Sequence, residues 1–186
     1  MAYIAMDIHK LLSKGERVTL ECKKALKGVP SSLWDTYSAF ANTYGGTILL
    51  GVVEHMEEHD CTKRFEIVGV EDDDKIRKDL WNTLNSREKV NINLLRDEDV
   101  QALDVDGKKI IAVNVPRADY TVRPVYINNN LSRGTFKRNH EGDYHCTEQE
   151  LKIMLRDANE SGNDGLLLEH YTMDDIDIPT LERFRQ

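Results

Sequence analysis

At 186 residues, with 40% hydrophobic and 31% charged residues, the chain has the balance of one globular domain with its own core plus a tail. It contains no apolar run of about 18 residues and no signal-peptide core, which excludes a membrane-spanning helix and points to the cytoplasm. A formal net charge of −8 excludes a uniformly basic surface, so any contact with nucleic acid must be a local patch.

From the N-terminus, Ile4, Ile8, Leu11 and Leu12 fall near a 3.6-residue period and predict a short helix over residues 1–14, closed by Gly15. Val18, Leu20 and Cys22 then alternate with Arg17, Thr19, Glu21 and Lys23, the pattern of a half-buried strand with Glu21 and Lys23 on one face. After a break at Gly28 to Ser32, Leu33, Tyr37, Phe40, Ala41 and Tyr44 recur at helical spacing, and Gly45-Gly46 ends that helix. Residues 47–53 are almost continuously apolar, which predicts a central strand covered on both faces.

Residues 54–63 are acidic and His-rich without an apolar period, so a loop is expected before a strand over 65–70. Ile76, Leu80 and Leu84 give a second packed helix over 72–84, with aspartates at its start. Strands are expected over 90–95, 100–105 and 108–115, the last two joined by an Asp106-Gly107 hairpin turn. Another short strand follows Pro124, residues 134–138 form a polar strand or turn rich in cations, and Thr147-Glu-Gln-Glu150 opens a last helix as a capping box. Composition changes at Asn159, which divides the chain into a domain over 1–158 and, over 159–186, a linker and the start of a further helix from a longer protein.

Glu21-Cys-Lys23, Ser38-Ala-Phe-Ala-Asn-Thr-Tyr-Gly-Gly-Thr47, Gly51-Val52, Gly69-Val70, Arg133-Gly134 and Tyr144-His-Cys-Thr-Glu-Gln-Glu150 occur in that order. Together they resemble the Alba-like DNA-binding domain. That domain stands at the N-terminus of bacterial and archaeal transcriptional regulators described as divergent AAA-type ATP-binding proteins, and a related version forms the Schlafen core. The resemblance implies an α+β fold, a mixed β-sheet with packed helices. It implies ATP only through a domain outside this chain, which has no G-x-x-x-x-G-K-[ST] loop.

Glu16 and Glu21 flank the first strand, and Glu54 follows the central one. If those strands are neighbours, the carboxylates converge beside Lys23, and oxygen-rich clusters of this kind take Mg²⁺ or Mn²⁺. Ribonuclease-active Schlafen proteins use acidic residues at positions matching Glu16, Glu21 and Glu54, with two departures here: Cys22 replaces the usual phenylalanine, and Glu54 the usual aspartate. The plain alternative is a set of strand-end glutamates with a structural Glu21–Lys23 pair. His55, His59 and Cys61 match no zinc spacing, and Cys22, Cys61 and Cys146 suggest no disulfide framework.

Arg117, Arg123, Arg133, Lys137 and Arg138 gather in the C-terminal half with Tyr120, Tyr126 and Phe136 interleaved, the mixture that holds phosphates and stacks bases. Nucleic-acid contacts are assigned to Lys23, Arg123, Arg133, Lys137 and Arg138. Gly45-Gly46 and Asn42 read as scaffolding. Three functions remain open: a DNA- or RNA-binding module without enzymatic activity, a divalent-metal-dependent nuclease built on Glu16, Glu21 and Glu54, and a homo-oligomerisation or interaction module.

Overall fold

The computed structural model describes residues 8–13, 18–55, 57–58 and 64–160. Its elements are α1 (Ile8–Leu12), β1 (Leu20–Lys23), α2 (Leu33–Asn42), β2 (Gly46–Leu50), β3 (Val52–Glu54), β4 (Phe65–Ile67), α3 (Asp73–Leu84), β5 (Val100–Val105), β6 (Lys108–Val115), α4 (Leu131–Gly134), β7 (Phe136–Asn139), β8 (Gly142–His145) and α5 (Glu148–Glu160). The main sheet has the order β1-β2-β6-β5, with β1 parallel to β2 and the other pairs antiparallel. This is the mixed α+β architecture expected.

Strand β2 sits in the middle because it is apolar on both faces. Ile48 and Leu50 join Tyr37 and Phe40 of α2 and Ile76, Leu80 and Leu84 of α3 in one core, while Leu49 joins Ile8, Leu12, Leu20, Ile110 and Ala112 in a second on the opposite face. Local chemistry sets the boundaries. Asp72 caps α3 by accepting from the Lys75 amide at 2.9 Å. Thr147 and Glu150 bond reciprocally at the start of α5, at 2.8 and 3.3 Å. Asp106 and Gly107 take φ of 53° and 75°, the two positive values that the tight β5–β6 turn requires.

The structure departs from the expected elements at four places. The apolar run 47–53 is not one strand. Gly51, at φ 96°, turns the chain out of the main sheet, and a Cβ there would lie 2.9 Å from the Gly69 carbonyl carbon. Beyond it, β3 pairs with β4 in a separate ribbon. Residues 90–95 form only a single bridge, Val90 to Ile127, because side chains take their backbone groups: the Tyr37 hydroxyl donates to the Ile92 carbonyl at 3.0 Å and accepts from the Leu94 amide at 2.9 Å. After Pro124 there are likewise only isolated bridges. Strand β8, absent from the sequence reading, pairs with β7.

No described helix is long and apolar enough to cross a membrane. The N-terminal half of the predicted first helix and the segment after Glu160 lie outside the described residues.

Candidate nucleic-acid interface

Period-two alternation puts Leu20 and Cys22 toward the second core and Glu21 and Lys23 toward α2. There Lys23 Nζ donates to Glu21 Oε1 at 2.9 Å. The other carboxylate oxygen accepts from Arg138 Nη2 at 2.8 Å, and Arg138 Nη1 reaches Asp143 Oδ1 at 2.8 Å. The guanidinium lies 5.1 Å from the centre of the Phe40 ring, and the Thr36 hydroxyl donates to the second Asp143 oxygen. Burial works against the charge of Arg138, but Asp143 and Glu21 outweigh it and hold its pKa above the ordinary value. Asp35, next to this network, is pushed up by burial and by the charge of Asp143, against the pull of Lys23 and His145.

This geometry corrects two assignments. Arg138, expected on the surface, has a side chain only 1% exposed, and that of Lys23 is 10% exposed; both are tied to carboxylates. The reason is the pleat of β7, where Phe136 and Arg138 point inward while Lys137 and Asn139 point out.

Glu54 ends β3, which leaves the main sheet at Gly51 and packs beside β1. Its carboxylate accepts from Arg64 Nε at 2.6 Å. Glu16 lies outside the described residues, as do His59 and Cys61. His55 pairs with Glu66 at 3.0 Å. Among the described residues no three His, Cys, Asp or Glu side chains are grouped to hold a metal ion. Glu21 is thus held by Lys23 and Arg138 and Glu54 by Arg64, while Glu16, the third carboxylate of the expected set, is not among the described residues.

The remaining cations sort by partner. Lys137 is bonded to Glu150, and that bond and the Thr147 amide hold the Glu150 carboxyl below its ordinary pKa. Arg117, Arg123 and Arg133 form no ion pair among the described residues. Arg117 and Arg133 are exposed and Arg123 is half-buried. Tyr120 is 49% exposed beside Arg117 and Arg123, whereas Phe136 is buried against the His145 ring, 4.4 Å between centroids. Tyr44, placed on the buried helix face by its spacing, is 64% exposed because α2 stops at Asn42. It adjoins Gly45, where a Cβ would come within 2.8 Å of the Arg117 amide nitrogen.

A family model described as Schlafen, AlbA_2 matches residues 16–147. The chain belongs to that family. Its structure is similar to the solution structure of the N-terminal domain of a RecG-related protein from Nitrosomonas europaea, at 30% identity and TM-score 0.57, covering 78% of this chain and 95% of that one. A looser likeness, 21% identity and TM-score 0.48, joins 74% of this chain to 24% of a Corynebacterium diphtheriae protein. No curated protein matches. Within this Schlafen/AlbA_2 domain the match spans β1 through β8, and so includes the Glu21–Arg138 network and the Arg117–Arg123 segment alike.

Proposed function

We propose that this Schlafen/AlbA_2 domain is a nucleic-acid-binding module of a larger protein, a transcriptional regulator acting on DNA, and that Arg117 and Arg123 hold the phosphate backbone. One observation carries the reading: in a chain of net charge −8, these arginines form no ion pair among the described residues and stand beside the exposed ring of Tyr120. Unpaired guanidinium groups are well suited to phosphate oxygens, and local phosphate neutralisation supplies most non-specific affinity. The RecG-related neighbour, described as an N-terminal domain of a DNA-helicase-related protein, supports a role next to nucleic-acid machinery.

The test is fluorescence anisotropy with labelled DNA and RNA over a range of salt. Affinity falls steeply as salt rises, and Arg117→Glu with Arg123→Glu abolishes it, while Arg96→Glu, on the loop before β5, leaves it unchanged. Absence of binding to either nucleic acid at low salt overturns the proposal.

A further inference from the structure

Tyr120 and Arg123 form a wall shared by two openings. On one side lies a cleft of about 390 Å³ bordered by Arg117, Ala118 and Asp119. On the other lies a cleft of about 210 Å³ bordered by Glu150, Ile153, Met154 and Asp157 of α5, against which residues 120–122 pack. The two differ in chemistry. The first opening has Arg117 and Arg123, which form no ion pair among the described residues, and the carboxylate of Asp119, which accepts from the Thr121 amide and hydroxyl at 2.9 and 2.6 Å. The second has an apolar floor of Ile153 and Met154, with Ile153 42% exposed, and a rim bearing the carboxylates of Glu150 and Asp157.

Arg123 between them is incompletely bonded. Its Nε is buried without a hydrogen-bond partner, and its Nη1 makes one long contact, 3.4 Å, to the Asn42 carbonyl. With no ion pair among the described residues, this guanidinium has capacity for an acceptor that a ligand supplies. On the α5 side Glu150 is already paired with Lys137 and Asp157 with Arg156, so that cleft, floored by Ile153 and Met154, suits something flat and uncharged, while Arg117 and Arg123 face the anion on the other side. A nucleotide has those two halves.

Resting on the nucleic-acid reading above, we infer that the cleft between residues 120–123 and α5 seats one unstacked base of a single strand, with its phosphate on Arg117 and Arg123. The base lies against the Tyr120 ring and the Ile153 and Met154 side chains. A duplex keeps its bases stacked and paired, so it reaches the arginines but not the cleft, and the domain prefers single strands.

The experiment compares a labelled single strand of about ten nucleotides with its duplex, using the full 186-residue chain. The single strand binds more tightly. Tyr120→Ala weakens single-strand binding roughly 5- to 150-fold, the range for loss of one stacked base, and weakens duplex binding far less. Tyr120→Phe keeps wild-type affinity, and Ile153→Asp, at an exposed position, repeats the loss. Equal affinity for the two forms, or a Tyr120→Ala protein that binds the single strand as wild type does, overturns the inference and leaves the binding module standing. Failure of the wild type to bind either form removes both.

Discussion

Arg138 Nη2 donates to Glu21 Oε2 at 2.8 Å across 117 positions of the chain. That bond fastens the β7–β8 hairpin to the edge strand β1, and Asp143 on β8 closes the arrangement from the other side. Removing the arginine leaves two carboxylates, each with a side chain 15% exposed, facing each other without their shared cation. Arg138→Ala should therefore destabilise the domain by about 3–5 kcal/mol, read as a lower urea midpoint at unchanged slope. Arg138→Lys should recover little of this, since one ammonium cannot reproduce the fork that reaches Glu21 and Asp143 at once. Substitution of Arg138 is consequently a test of the fold, not of nucleic-acid contact.

Asp35 gives the network a pH signature. Its pKa is raised above the ordinary carboxylate value of 3.8, chiefly by burial and then by Asp143, so the folded state holds its proton more tightly than the unfolded state. The sign follows: this contribution favours the fold below pH 3.8 and is lost as pH rises through the folded pKa. Asp35→Asn should raise the melting temperature at neutral pH relative to wild type, and the difference should disappear in acid. Thermal melts of both proteins from about pH 3 to 7 decide it. An equal offset at every pH would mean that Asp35 acts through packing.

The parts legible in the sequence are those governed by local period and caps. Alternation over 18–23 gave β1 and the shared face of Glu21 and Lys23, and Asp-Gly and the Thr147–Glu150 box gave their turn and helix start. What escaped depends on distant partners. The cations of 133–138 read as a surface because nothing near them in sequence says that Glu21 waits opposite Arg138. Residues 90–95 read as a strand because the Tyr37 hydroxyl that takes their backbone groups lies 55 and 57 positions away. The cleft under Tyr120 was missed for the same reason, since α5 supplies its far wall.

Asn42 joins the fold to the proposed interface. The residue is 4% exposed, and its side chain donates to the Val125 carbonyl at 2.8 Å and the Phe136 carbonyl at 2.9 Å and accepts from the Val125 amide at 2.8 Å. It thus pins the end of the segment that carries Arg117, Tyr120 and Arg123 to the C-terminal end of α2. Asn42→Ala leaves these buried backbone groups unmatched and should cost about 2–4 kcal/mol of stability. Asn42→Asp should be worse at neutral pH, because it replaces two donors with a buried negative charge facing carbonyl oxygens. That excess should shrink as pH falls and the carboxyl takes up a proton, since burial raises its folded pKa and the protonated acid regains one donor. Urea titrations of the three proteins at neutral and acid pH measure the stability, and anisotropy titrations measure the consequence for binding. Both variants should bind single strands more weakly under conditions where they remain folded, although Asn42 itself touches no ligand; unchanged affinity would separate the Val125 staple from the placement of Arg123.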